Sequence, residues 1–170
     1  MKNLFIALIT FVSFGAFAQE KQIPSPPAMA MANVGDVHVM VKYAQPAVKG
    51  RLIFGTKEDK ALVPYGEVWR TGANEATTIE FYKDVTVEGQ KVAKGTYSLF
   101  TIPGKSEWTV ILNSVAKQWG AYNYDASKDV IRFKVKPYST EMTERLTFKV
   151  EKSGKVSVAW DKTGISFNVK

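Results

Sequence analysis

From Gly35 onward, apolar side chains recur at every second position, and that period admits strands and little else. Val37, Val39, Val41 and Tyr43 alternate with His38, Met40 and Lys42. Thr77, Ile79 and Phe81 alternate with Thr78, Glu80 and Tyr82, and Val85, Val87 and Val92 flank Glu88-Gly89-Gln90. Tyr97 to Ile102 and Trp108 to Leu112 flank Pro103-Gly104-Lys105, a second hairpin signal. Both of those runs are apolar on both faces, which predicts central strands. Ile131-Phe133-Val135, Leu146-Phe148-Val150, Val156-Val158-Trp160 and Ile165-Phe167-Val169 repeat the theme to the end. No window of a dozen residues carries a helical period. Roughly nine or ten short strands with Gly, Pro and Asp punctuation predict a single all-β domain, an antiparallel, jelly-roll-like β-sandwich.

The first residues read differently. Met1 and Lys2 precede an apolar run from Leu4 to Phe14, and Ala16-Phe17-Ala18 follows. Positive start, short apolar run and small residues at −3 and −1 make a secretory signal peptide over residues 1–18, cleaved after Ala18. The run is too short to span a bilayer, which needs ~20 residues. No second run approaches that length, so the mature chain is expected to have no transmembrane segment and to be periplasmic or extracellular. Residues 19–34 hold Pro24, Pro26, Pro27 and an Ala-Met repeat. They read as an extended N-terminal segment, with the β-sandwich domain at 35–170. The chain has no Cys, so its core holds without disulfides, and a Cys-type zinc site, a thiol nucleophile and an iron–sulfur cluster are excluded.

Two stretches escape the strand pattern, at 55–74 and 114–128. Long irregular connections inside a small domain tend to be functional. The second carries Trp119-Gly120-Ala121-Tyr122-Asn123-Tyr124-Asp125. Aromatic faces cover the apolar side of a sugar ring while an amide and a carboxylate fix its hydroxyls. The plainer alternative is that Trp119 and Tyr122 plug one end of the sandwich. In Trp69-Arg70-Thr71-Gly72-Ala73-Asn74-Glu75, Gly72 and Asn74 suit a turn or bulge with φ > 0. Arg70 either clamps an anion or holds the turn closed through Glu67 or Glu75. The candidate ligand-binding residues are Arg70, Asn74, Trp119, Tyr122, Asn123, Tyr124 and Asp125.

The strings Leu62 to Phe81, Gly95-Thr96-Tyr97-Ser98-Leu99-Phe100-Thr101-Ile102-Pro103, Trp108-Thr109-Val110 and Gln118-Trp119-Gly120-Ala121-Tyr122-Asn123-Tyr124 resemble the domain of unknown function family 2911. Its members are secreted proteins of Bacteroidetes-type bacteria. The resemblance covers most of the chain, about residues 25–170, and implies an exported, mostly β domain. It brings no activity, substrate, cofactor or catalytic residues.

Familiar catalysis has little to work with. A Ser-His-Asp triad needs a histidine, and only His38 is present, without a Gly-x-Ser-x-Gly elbow. One histidine with scattered carboxylates makes a weak zinc set, so no metal site and no cofactor are expected. No phosphate-cradling glycine loop occurs. Glu67, Glu75 and Asp125 are weak candidates for a glycosidase-like carboxylate pair, which needs a separation of about 5 to 9 Å. Charge is uneven. Residues 128–170 hold 10 basic and 5 acidic side chains, and strand phase turns Arg132, Lys134, Lys136, Arg145 and Lys149 outward. Such a basic face suits an anionic envelope component, or it serves only solubility and edge protection. Nucleic acid is not an expected partner of an exported domain. The leading expectation is a non-catalytic exported binding module for a glycan or other polar envelope component. The alternatives are a small hydrolase and a structural or protein-interaction domain of the envelope.

Overall fold

Alternation becomes pairing in the computed structural model, which describes residues 23–170. The expected signal peptide at 1–18 lies outside the described residues. Twelve strands follow in order. They are β1 (Pro27–Val34), β2 (Val37–Ala44), β3 (Phe54–Gly55), β4 (Val63–Pro64), β5 (Thr78–Phe81) and β6 (Val85–Val87). Then come β7 (Gln90–Val92), β8 (Gly95–Ile102), β9 (Trp108–Asn113), β10 (Asp129–Val135), β11 (Tyr138–Val150) and β12 (Lys155–Asn168). The only helical turn among the described residues is a 3₁₀ turn, Ala126–Lys128. Among the described residues no helix is long and apolar enough to cross a membrane.

One layer is a six-stranded antiparallel sheet in the order β1-β2-β5-β8-β9-β10. Its strands follow one another in chain order, with excursions to the other layer, rather than in the interleaved order of a jelly roll. The second layer is built on the long β11–β12 hairpin. Pro46–Val48 lies along β11, where the Val48 N–H donates to Glu144 O at 2.8 Å and the Leu146 N–H to Pro46 O at 3.0 Å. On the other side β6 lies along the chain end. The Thr86 N–H donates to Lys170 O at 2.7 Å, and the Lys170 N–H to Thr86 O at 2.9 Å. The two layers meet through Tyr43 on Phe148, Phe133 on Phe167, and Trp69 stacked on Trp160 with centroids 5.8 Å apart. These contacts make a sandwich with one continuous core.

Three details depart from the sequence reading. The segment 19–34 is not merely a loose lead-in, because β1 pairs residue for residue with β2, from Pro27 opposite Ala44 to Val34 opposite Val37. Its prolines stand before or at the start of an edge strand, where a missing N–H costs least. Ala28, Ala30 and Val34 pack on the core. Second, Val156-Trp160 and Ile165-Val169 are not two strands. β12 is continuous and its burial phase reverses around Asp161, at φ 56°, where the register with β11 slips and the extra residues lie on β11. Val156, Val158 and Trp160 before it and Ile165, Phe167 and Val169 after it therefore all face the core. Third, β8 and β9 are buried on both faces as expected, but only one face meets the other sheet. Phe100 and Ile111 form a second cluster with Ala76, packed by Val68, Ile102, Ala121 and Tyr124. The cover of that outer face is the pair of irregular stretches.

The basic residues do not form one face. Arg132 and Lys134 project from β10 in the first layer, whereas Arg145 and Lys149 belong to β11 in the second. Arg132 pairs with Asp129, and Lys134 with Glu107 at 3.1 Å. Arg145 Nη1 donates to the Gln45 carbonyl at 3.1 Å.

Candidate functional site

The first irregular stretch folds back beside β8. The Trp69 N–H donates to Thr101 O at 2.8 Å and the Thr101 N–H to Trp69 O at 2.9 Å, so Trp69 takes up the ladder where β5 leaves off. Buried hydroxyls then close the turn. Thr71 Oγ1 lies 3.0 Å from Thr101 Oγ1, and Thr77 Oγ1 donates to Thr71 O at 2.9 Å. Thr71 (φ 51°) and Asn74 (φ 61°) make the left-handed turns.

The second stretch hangs from two buried amides. Asn113 Nδ2 donates to Asp125 O at 2.9 Å and to Asp129 Oδ1 at 2.8 Å. Gln118 Nε2 donates to Val115 O at 2.8 Å. The two stretches then zip together. The Ala76 N–H donates to Gln118 O at 2.8 Å, the Gly120 N–H donates to Asn74 O at 3.0 Å, and Glu75 bridges Trp119. This short ladder forms a ridge on the outer face of the six-stranded sheet.

The ridge sorts the candidates. Trp119 is 63% exposed and Tyr122 84% exposed, so neither plugs the end of the sandwich. Among the described residues Arg70 makes no ion pair, and its buried Nε finds no hydrogen-bond partner. Glu67, the expected partner, instead meets Lys57 Nζ at 2.6 Å. A Cβ placed on Gly120 would lie 2.9 Å from the Tyr122 ring and 3.5 Å from Arg70 Nη1, so ring and guanidinium flank one point of the ridge. Asn74 and Glu75 line a cavity of about 660 Å³ at its foot, with Ile23, Met29, Lys42 and Tyr43. Asn123 is exposed.

Two candidates have other partners. Tyr124 packs its ring on Phe100, donates its hydroxyl to Asp129 Oδ2 at 2.6 Å and accepts from Arg132 Nη2 at 2.6 Å. Asp125 caps the 3₁₀ turn, accepting from the Ser127 N–H at 2.9 Å, and that bond holds its carboxyl below the usual range. A lowered carboxyl is a poor general acid. With Glu67 in an ion pair and Asp125 a cap, two of the three candidate carboxylates are engaged structurally. Among the described residues no three His, Cys, Asp or Glu side chains gather as a metal cluster.

Burial, then the hydrogen bond to Asp129, push the Tyr124 phenol up to about 12. The fold therefore prefers the neutral phenol. This contribution is intact below about pH 10, where the free phenol titrates, and is lost as pH rises toward 12. The shift corresponds to under about 3 kcal/mol, and solvent screening at this partly exposed phenol brings the loss down to on the order of 1 kcal/mol. Urea unfolding of the wild type and Tyr124→Phe at pH 8 and pH 11.5 checks it. The wild type should lose more stability over that interval, and equal losses would remove the assignment.

No curated protein and no solved structure shows significant similarity to this chain. The model of the family described as "Protein of unknown function (DUF2911)" matches residues 25–169, from just before β1 to the last core residue. The chain belongs to that family.

Proposed function

We propose that this protein is a non-catalytic exported module that binds a glycan or other polar component of the cell envelope on the ridge between residues 70–76 and 118–122. The observation that carries the reading is the half-buried Arg70 guanidinium, without an ion pair among the described residues, beside the exposed Tyr122 ring at Gly120, with the exposed Trp119 on the same ladder. Exposed aromatic surface rimmed by polar groups is the kind of patch that marks interaction sites. Trp119 and Tyr122 supply faces for sugar rings, and Arg70 supplies a planar donor fork for a carboxylate or phosphate substituent. Asn74 adds an amide on the cavity side. The role taken from Tyr124 and Asp125 is support, because their polar atoms already fix the loop.

The fluorescence test is unusually clean. Trp69, Trp108 and Trp160 are buried at 8%, 3% and 2% exposure, so an aqueous ligand reaches only Trp119. Titration with a panel of neutral and acidic oligosaccharides is expected to give a saturable change in emission. Trp119→Ala should abolish it, and Arg70→Gln should weaken binding of the acidic members by on the order of tenfold. A flat response across the panel, or one that survives Trp119→Ala, would defeat the proposal.

A further inference from the structure

All the sulfur in this chain is thioether, carried by Met1, Met29, Met31, Met40 and Met142. Three of the five occupy neighbouring positions on one face of the six-stranded sheet. Strand phase sends Ala28 and Ala30 of β1 to the core and Met29 and Met31 to the outer face, where they are 49% and 52% exposed. On β2 Val39 and Val41 face the core, so Met40 lies on the outer face, where it is buried at 8% exposure between Met31 of β1 and Glu80 of β5. Met31 stands directly opposite Met40, and Met29 opposite Lys42. His38, two residues before Met40, stands opposite Asn33 on the same face.

We propose that Met31, Met40 and His38 form a binding site for a soft monovalent cation, copper(I), with Met29 as a flanking thioether. The first argument is donor chemistry. Thioethers select Cu(I) over harder divalent ions, and imidazole is a competent ligand for it. The second is reach. Directly paired residues have Cβ atoms about 4.5–5.5 Å apart and diagonal ones about 7–8 Å. Methionine is unbranched with three rotatable bonds, so the side chains of the directly paired Met31 and Met40 can meet within reach of the diagonal His38, while Met29, two positions further along β1, lies too far from His38 to share an ion with it.

The third argument is the state of the histidine. His38 Nδ1–H donates to Asn33 Oδ1 at 2.8 Å, which leaves Nε2 as the free lone pair. Metal-binding imidazoles characteristically donate their other nitrogen in this way, and the partner fixes tautomer and ring orientation. The Tyr82 ring, edge-on at 5.0 Å, holds the imidazole plane from β5's side. The fourth is the contrast between edges. β10, the opposite edge of the sheet, presents Arg132 and Lys134 outward, the usual guard of an exposed edge. β1 presents methionines where that guard belongs. Among the described residues no three His, Cys, Asp or Glu side chains gather, on this face or elsewhere.

The test is a Cu(I) competition titration of the intact chain, anaerobic and under ascorbate, against a chromogenic Cu(I) chelator. One Cu(I) per chain should leave the chelator, with sulfur scattering in its X-ray absorption spectrum. Met→Leu keeps volume and removes sulfur, so the folds of Met31→Leu, Met40→Leu and the triple variant with Met29→Leu are expected to hold. The triple variant should take no Cu(I) from the chelator. Asn33→Ala, which only frees the imidazole, should weaken binding roughly tenfold. Met142→Leu, on β11 of the other layer, should change nothing. No uptake by the wild type overturns the proposal. So does undiminished uptake by the triple variant, or Zn(II) bound as tightly as Cu(I).

Discussion

Gly154→Ala is expected to cost about 4 kcal/mol, enough to leave a domain of this size marginal at room temperature. Gly154 stands in the turn from β11 to β12 at φ 90°, where an L-residue is strained by about 1–3 kcal/mol on its own. Its N–H donates to Glu151 O at 2.9 Å, and its carbonyl accepts from the Val169 N–H at 2.9 Å, so the turn is tied at both ends. A Cβ here would fall on the Val169 carbonyl oxygen, far inside contact distance, and 3.2 Å from a Val34 methyl. The obstacle is backbone, and it cannot rotate away. Val169 is fully buried and pairs with Val87, so moving it disturbs β6 as well. Gly35→Ala is the control. Gly35 has φ 60° but nothing within 4 Å of the added methyl, so only the backbone strain of about 1 kcal/mol remains. Urea midpoints of both variants check the comparison. Equal, small losses would mean that the β11–β12 turn relaxes freely.

Trp160→Ala should cost roughly 3–5 kcal/mol, while Trp119→Ala should stay within about 0.5 kcal/mol of wild type. Trp160 is 2% exposed, stacks on Trp69 at an interplanar angle of 18°, and receives the edge of Phe54 at 6.1 Å. Phe54 also meets Trp108 at 4.9 Å, so one truncation leaves a cavity bordered by aromatic rings that cannot close over it. Trp160 Nε1 is buried and finds no hydrogen-bond partner among the described residues. Trp160→Phe therefore gives up volume but also removes an unsatisfied donor, and should cost clearly less than Ala. Thermal unfolding of the three variants separates them, and a Trp160→Ala loss no larger than that of Trp119→Ala would contradict this packing.

The strands were legible because period two is a local property. Ile131-Phe133-Val135 and Leu146-Phe148-Val150 needed no knowledge of their partners. β1 carried the same alternation in Ala28-Met29-Ala30-Met31, but the prolines before it and the weak β-propensity of Ala disguised a pairing that β2 supplies. β12 hid its continuity behind Asp161-Lys162-Thr163-Gly164, which has turn composition but stays within the strand. The candidate site was legible in part. The aromatics and Arg70 stood out by type, yet their convergence depends on backbone bonds between Asn74–Ala76 and Gln118–Gly120, which leave no mark on side-chain composition. Arg70's freedom was hidden too, since Glu67 is three residues away but turns to Lys57. Asp125 could have been set apart. Its spacing to Ser127 is that of a side chain accepting from the backbone two residues on. The methionine face was hidden by attention to histidine and carboxylate alone, for which this chain has no metal set.

The phase reversal at Asp161 has a consequence for chain length. In a regular stretch such as mid-β2, adding or removing one residue reverses everything beyond it and would turn Val41 and Tyr43 to the outside. At Asp161 the inward side already changes parity within one strand. A chain one residue shorter there would run as an unbroken strand with the same six side chains, from Val156 to Val169, still on the core. Single-residue length differences among relatives are thus expected to collect at this point of β12, where the geometry reads an odd and an even count alike.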